Sequence, residues 1–246
     1  MKARFKRLLA AAGYRLEKIP VHVPSGRDLS HDLALLFRAR PGPVCIDAGA
    51  HDGQFTALLQ ATLDQPVVHA FEPAPEPFAR LRQRYTGQPR IHALNLGLSD
   101  QAGRIAFNIY DNQALNSFLP ITGGANHAFG SPTLLRRQEV ETVRLDDYAR
   151  TNGLPAIDLL KIDTQGFERQ VLRGAAGLLA AGQVHAILIE INFTPLYAGQ
   201  IWGHEVMGDL FAQNLHLVDF YEKCRLGAFL GWCTALFVRR DSPLSS

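Results

Sequence analysis

The segment that most constrains the fold is a short apolar run that leads into a glycine-bracketed turn and an amphipathic helix. Val44–Ala48 has the composition of a buried strand, and Gly49 and Gly53 bracket the turn that follows. A strand-to-helix turn needs glycine where the backbone takes a positive φ or approaches a ligand closely. The next helix carries on one face Phe55, Leu58, Leu59 and Thr62. The pattern predicts the first unit of an open α/β sheet, with a ligand at the turn.

An acidic residue after the turn narrows the choice of ligand. Glu72 ends the predicted strand 67–72, roughly 20 residues beyond the turn, where an acid meets the ribose hydroxyls in nucleotide-binding βαβ units. The turn matches neither the dinucleotide motif G-x-G-x-x-G nor a P-loop. Asp47 instead precedes it, and a carboxylate there would repel phosphate but attract an ammonium or sulfonium group. We therefore expect S-adenosylmethionine as the cofactor; the alternatives are a turn in which Asp47 only caps the helix, or a nicotinamide-dependent oxidoreductase.

Composition excludes several other classes of protein. With 47% apolar and 20% charged residues the chain is typical of a soluble globular protein, and a net charge of +2 gives no general attraction to nucleic acid. Cys45, Cys224 and Cys233 have no C-x-x-C spacing, so neither a disulfide framework nor a zinc site is expected. We find no apolar run of about 18 residues and no signal-peptide pattern. These observations predict a cytoplasmic protein without a transmembrane segment.

The chain divides into a short N-terminal part and one large unit. Residues 1–40 are expected to form a helical cap, from a basic amphipathic helix over 1–14 and a second helix over 28–39. The basic face is compatible with weak contact to a membrane surface. Residues 41–246 are expected to form a single globular α/β domain, because no segment has the composition of a linker.

Strands and helices alternate through that domain. Seven strands are predicted at 44–48, 67–72, 90–95, 157–163, 184–191, 215–221 and 233–239, with an added strand at 103–110 and a strand-like stretch at 140–145. This order is typical of a doubly wound, mostly parallel sheet with helices on both faces, whose ligands collect at the carboxyl ends of the strands. The residues expected at that edge are Asp47, Glu72, Ser99, Asp100, Asp163 and Glu190. Residues 111–137 are expected to be a long loop, either a functional lid or a mobile segment.

The chain resembles the FkbM-type S-adenosylmethionine-dependent methyltransferases. The resemblance runs from about residue 44 to 239, through the segments 46–53, 71–73, 95–100, 116–117, 143–148, 160–168, 171–175 and 236–238. The stretch Lys161-Ile162-Asp163 is its most specific part. The resemblance implies a Rossmann-like methyltransferase fold with a reversed last strand, and methylation of a hydroxyl oxygen of a natural product or sugar.

Two residues depart from the family pattern. His51 stands where the family commonly has Asn, and Gln165 stands where it often has Glu. The second departure argues against a catalytic role for position 165.

Methyl transfer requires chiefly that the acceptor be positioned and its proton removed. Asp163 is the first candidate for this work, as a base, an orienting acceptor or a metal ligand; the alternative is a cap on the helix that begins near Gly166. Glu190 is the second catalytic candidate, and with Asn192 and Asp163 it offers oxygen ligands of the kind Mg²⁺ prefers, although no metal site is predicted. Lys161 is expected to pair with a carboxylate. The expected cofactor contacts are Asp47, Gly49, His51, Gly53, Glu72 at the ribose, and Ser99 and Asp100 at the adenine.

The acceptor is expected to be a small molecule or a glycan, and Phe193, Tyr197 and Trp202 are candidates for the walls of its site. A cofactor-binding interaction module without turnover is the alternative from outside enzymology. The sequence does not predict the oligomeric state.

Overall fold

The computed structural model describes residues 2–14 and 23–244. Its helices are α1 (Lys2–Ala11), α2 (Leu29–Phe37), α3 (Gln54–Thr62), α4 (Pro75–Arg84), α5 (Gly123–Phe129), α6 (Leu145–Thr151), α7 (Glu168–Gly174), α8 (Ala176–Ala180) and α9 (Gly203–Ala212). Its strands are β1 (Val44–Ala48), β2 (Val67–Phe71), β3 (Ile91–Leu94), β4 (Gly97–Leu98), β5 (Gly103–Tyr110), β6 (Leu134–Val143), β7 (Ile157–Ile162), β8 (Val184–Asn192), β9 (Leu215–Leu226) and β10 (Phe229–Arg239). A single 3₁₀ turn at Gln113–Leu115 follows β5.

The main sheet has seven strands in the order β3-β2-β1-β7-β8-β10-β9. Neighbouring strands run parallel from β3 to β8, whereas β10 runs antiparallel to both β8 and β9. The predicted fold class, with its reversed last strand, is confirmed. All six residues of β7 are buried, as expected for a central parallel strand covered on both faces.

The two faces of the sheet carry separate apolar cores. Alternate strand residues point to opposite faces, so Ile46 and Leu160 pack with α6 to α9, whereas their neighbours Cys45 and Leu159 pack with α2, α3 and α4. Each fully buried Leu or Ile side chain contributes about 1.5–3 kcal/mol to folding. The sheet is therefore held from both sides, and its carboxyl edge is a rigid base for a site.

Strand register brings the acidic ends together. Because β1 lies between β2 and β7, Ala48 is paired with Phe71 on one side and with Ile162 on the other. The residues that follow these three strands, Gly49, Glu72 and Asp163, therefore emerge side by side.

The prediction of a long loop over 111–137 is wrong. This segment contains the 3₁₀ turn, α5 and the first residues of β6, which pairs antiparallel with β5 from Gly103 to Tyr110. Strands β4, β6 and β5 form a second sheet of three strands. The first four residues of β6 are exposed, so they lack the apolar alternation that predicts a strand, and the hydrogen bonds come from β5. The strand-like stretch 140–145 ends at Val143, and Leu145 begins α6 instead.

The N-terminal helices differ in how they pack. Helix α2 starts after its N-cap Asp28, whose side chain accepts the backbone N–H of His31, and it buries Leu33 and Phe37 in the core. Helix α1 leaves Phe5 57% exposed, so the apolar packing expected of this helix is absent at that residue. Within the described residues, no helix is both long and apolar enough to span a bilayer. The division of the chain at residue 40 stays a prediction.

Candidate active site

A cavity of about 500 Å³ lies at the carboxyl ends of β1, β2, β7 and β8. Its walls include, among the residues predicted for the site, Gly49, His51, Glu72, Asp163 and Glu190. Leu29 of α2 also reaches the cavity, so the N-terminal part of the chain contributes to its wall.

The turn after β1 is folded tightly against the end of β7. Gly49 has φ +77°, and a Cβ placed on it would lie 1.9 Å from the backbone oxygen of Asp163. Its N–H and that of Ala50 both donate to the carbonyl of Phe71 at the end of β2. Gly49 is therefore required by the packing of three strand ends against one another, and a side chain there would displace Asp163.

Glu72 joins the two loops beside the cavity. Its Oε2 accepts the backbone N–H of His51 and its Oε1 accepts that of Ala74, each at 2.8 Å. Burial raises the pKa of Glu72 to about 7, although both backbone N–H groups favour the charged form. Each carboxylate oxygen has a further lone pair, so the ribose contact predicted for Glu72 is compatible with these bonds.

Asp47 does not line the cavity, contrary to its predicted contact with the cofactor. It is fully buried beneath the turn, where Oδ2 accepts the hydroxyl of Thr56 at 2.8 Å and Oδ1 lies 3.0 Å from Nζ of Lys161. The register of β1 and β7 sets Asp47 opposite Lys161, which confirms that the lysine pairs with a carboxylate. Nζ also donates to the carbonyl of Gly49 at 2.7 Å. Burial alone would lower the pKa of Lys161, but Asp47 and Asp163 raise it above its usual value, so the lysine stays charged and holds the turn.

Three more predicted cofactor contacts lie away from the cavity wall. Gly53 is the N-cap of α3 with φ +85°, and a Cβ there would lie 2.5 Å from the ring of Tyr85. Ser99 and Asp100 follow β4 and hydrogen-bond to each other, while Gly97 and Leu98 of β4 reach the cavity instead. The prediction placed Ser99 and Asp100 at the cavity. In the structure Gly97–Leu98 pair with β6 and line the cavity, and the two residues that follow them lie away from it.

Asp163 lines the cavity with a side chain that is 41% exposed. Its Oδ1 accepts the side-chain N–H of Gln165 at 2.7 Å, and its Oδ2 lies 3.9 Å from Nζ of Lys161. The alternative role of Asp163 as a helix cap is wrong. No side-chain hydrogen bond caps α7 at its N-cap Phe167, and Oε1 of Glu168 instead accepts the backbone N–H groups of Thr164 and Gly166, at 3.1 Å each, in the turn before the helix.

Glu190 lies on β8 next to Asp163. Burial raises the pKa of Glu190 well above its usual value, and the neighbouring carboxylates of Asp163 and Glu168 raise it further. These effects favour the neutral, protonated form of the Glu190 carboxyl group. Its expected companion Asn192 is buried and does not line the cavity. Among the described residues, no three His, Cys, Asp or Glu side chains are grouped so that they could hold a metal ion.

Polar atoms without a partner show that the cavity suits a polar ligand. Within the described part of the chain, Nδ2 of Asn116 and Nε2 of His51 are buried and have no hydrogen-bond partner, although both residues line the cavity. Oδ1 of Asn116 accepts the backbone N–H of Tyr110 at 2.9 Å, which fixes the amide with its nitrogen unpaired. Leaving such groups unpaired is costly, so they are expected to bind ligand atoms. The sequence pointed to Asn116 only through the family resemblance.

Part of the cavity wall is apolar. Phe107 and Phe118 pack edge to face with ring centroids 4.7 Å apart, and Leu98 also lines the cavity. A cavity with an apolar part and several carboxylates, among them the acid predicted to meet the ribose, fits the adenosine and the cationic sulfonium and ammonium groups of S-adenosylmethionine.

The model of the FkbM methyltransferase domain matches residues 47–225. The chain belongs to the FkbM methyltransferase family. Its cofactor is therefore S-adenosylmethionine, and most of the residues around the cavity lie within the part of the chain that the family model matches.

Two curated relatives are about a third identical to the chain within the aligned segments. The 2-O-methyltransferase NoeI of Sinorhizobium fredii is 30% identical over 66% of this chain and 68% of its own length. The 31-O-demethyl-FK506 methyltransferase FkbM of Streptomyces tacrolimicus is 37% identical over 55% of this chain and 60% of its own length. The crystal structure of a methyltransferase FkbM from Methylobacillus flagellatus shares the fold, with a TM-score of 0.52 and 14% identity over 96% of this chain and 70% of that one.

Proposed function

We propose that this family member transfers the methyl group of S-adenosylmethionine to a hydroxyl oxygen of a small molecule or sugar, with Asp163 accepting the proton. The observation that carries the proposal is the position of Asp163, which lines the same cavity as Glu72 and Gly49. The names of the two curated relatives support an oxygen acceptor, since both refer to an O-methyl position.

The separate roles of the cofactor and the protein follow from the chemistry of methyl transfer. S-adenosylmethionine supplies a methyl carbon that its sulfonium has already activated, so the protein must chiefly hold the acceptor in line and take up its proton. Asp163 is suited to this because one oxygen is held by Gln165 and the side chain is partly exposed to the cavity.

Glu190 has a different role from Asp163 in this proposal. Its raised pKa makes Glu190 a weaker proton acceptor, and in the protonated form its carboxyl group can donate a hydrogen bond to an acceptor oxygen. Enzymes commonly assign acid and base roles to two carboxyl groups in different environments.

The test is the substitution Asp163→Asn. It removes the proton acceptor and keeps the shape, so turnover should fall by about 10²–10⁴-fold. The affinity for S-adenosylhomocysteine, measured by calorimetry, should change little. Transfer is followed with methyl-labelled S-adenosylmethionine and pooled hydroxylated small molecules and glycosides, and Asp209→Asn on the exposed face of α9 is the matched control. Normal turnover in Asp163→Asn would exclude Asp163 as the base, while a wild-type protein that binds no S-adenosylhomocysteine would exclude the whole proposal.

A further inference from the structure

Gln165 links Asp163 to a buried tyrosine. Its Nε2 donates to Oδ1 of Asp163 and its Oε1 accepts the hydroxyl of Tyr197, both at 2.7 Å. Tyr197 is 1% exposed and follows β8, whereas Gln165 follows β7. The three residues form one chain of hydrogen bonds that ends at the cavity.

The direction of this chain is set by Tyr197. Burial raises the pKa of Tyr197 far above its usual value, and the nearby carboxyl groups of Glu190 and Glu168 raise it further, so its hydroxyl keeps its proton. Because the Tyr197 hydroxyl donates, the part of the Gln165 amide that faces it must be the carbonyl oxygen. The amide nitrogen then faces Asp163, where a carbonyl oxygen would be repelled by the carboxylate.

The backbone of Gln165 is held as firmly as its side chain. Gln165 has φ +56°, a conformation that costs energy for a residue with a side chain. Its carbonyl accepts the hydroxyl of Ser117 at 2.7 Å. The next residue, Gly166, packs so closely on Tyr197 that a Cβ there would lie 2.7 Å from that of Tyr197. The surrounding structure therefore imposes this conformation and aims the amide at Asp163.

We propose that Gln165, oriented by Tyr197, is a positioning residue that holds one oxygen of Asp163 and turns the other towards the acceptor. With Oδ1 occupied by Gln165, Oδ2 is left for the acceptor, 3.9 Å from the ammonium of Lys161. The inference rests on the proposed function of Asp163. It also assigns a positioning role to residue 165, for which the sequence argued against a catalytic role.

The charged groups around Asp163 explain why such a residue is needed. Lys161 is the cation beside Asp163, and it is shared with Asp47. Glu190 and Glu168 face Asp163 from β8 and α7, and each is influenced by its charge. An amide that donates to Asp163 favours the charged carboxylate without adding another negative charge.

The experiment is a pH titration of the Asp163 carboxyl carbon by ¹³C NMR in protein saturated with S-adenosylhomocysteine. The resonance is assigned from its absence in Asp163→Asn. Gln165→Glu keeps the shape but sets a second carboxyl group against Oδ1, and two carboxyl groups at this distance share a proton. The midpoint of the Asp163 titration should rise by about one pH unit or more. Tyr197→Phe frees the amide and should move the midpoint in the same direction by less. Gln83→Glu on the exposed face of α4 adds the same charge elsewhere and should leave it unchanged.

An unchanged midpoint in both Gln165→Glu and Tyr197→Phe would overturn the proposal. Tyr197→Phe decides alone if Gln165→Glu does not fold. The titration needs no acceptor, so it tests the contact even where Asp163→Asn shows normal turnover. If the wild-type protein binds no S-adenosylhomocysteine, the proposed function fails, and the same titration in the free protein still reports whether Gln165 governs Asp163.

Discussion

Among single residues, Glu72 connects the loops of the fold to the cavity. It accepts two backbone N–H groups from different loops and also lines the cavity. Glu72→Gln keeps the size of the side chain but removes its charge, so hydrogen bonds to the ribose hydroxyls become weaker. We expect the free energy of binding S-adenosylhomocysteine to fall by about 1.5–3 kcal/mol, the range for hydrogen bonds to charged groups. Calorimetry measures the change, with Glu76→Gln as the control because Glu76 is an exposed carboxylate paired with Arg136. Equal affinities in the two variants would contradict the ribose contact.

At the scale of elements, the turn between β1 and α3 is defined by how closely it approaches β7. Gly49→Ala has two energetic costs, a positive φ and a clash with the backbone of Asp163. Gly87→Ala has only the first cost, because Gly87 has φ +79° and open space around its Cβ position. We expect Gly49→Ala to lower the free energy of unfolding by about 1–3 kcal/mol more than Gly87→Ala does, the cost of overpacking. Urea unfolding measures both. A similar decrease in the free energy of unfolding in the two variants would show that the backbone of Asp163 shifts to accommodate the new side chain at little energetic cost.

At the scale of the whole molecule, buried acids make stability depend on pH. Burial raises the pKa of both Glu72 and Glu168 to about 7 and that of Glu190 well above its usual value. The folded state therefore keeps protons that the unfolded state releases at a pH of about 4.5, and the free energy of unfolding falls as pH rises through 7. Burial lowers the pKa of His69 to about 4, so its opposing effect is confined to pH values below about 6.5. Melting temperatures should thus decrease between about pH 6.5 and 8. Glu168→Gln should flatten this dependence, and a melting temperature that rises over the window would refute it.

Sequence patterns predicted the succession of strands along the chain and the acids at the carboxyl edge of the sheet, and the family resemblance implied the reversed last strand. Apolar period and glycine position are local properties, and parallel strands bring their ends to one edge, so Glu72, Asp163 and Glu190 could be placed at the cavity. The first half of β6 was not predicted, because it is exposed and its hydrogen bonds come from β5, whereas its last residues belong to the predicted strand-like stretch 140–145.

Which of these acids face the cavity depends on tertiary packing. Asp47 was expected to meet the cofactor, but the register of β1 and β7 sets it against Lys161 beneath the turn. Gln165 reaches Asp163 two residues away and Tyr197 thirty-two residues away. The orientation of the Gln165 amide depends on the position of Tyr197 in the segment that follows β8. Contacts of this kind are determined by strand register and by the packing of segments that are distant in sequence. No local sequence pattern predicts either.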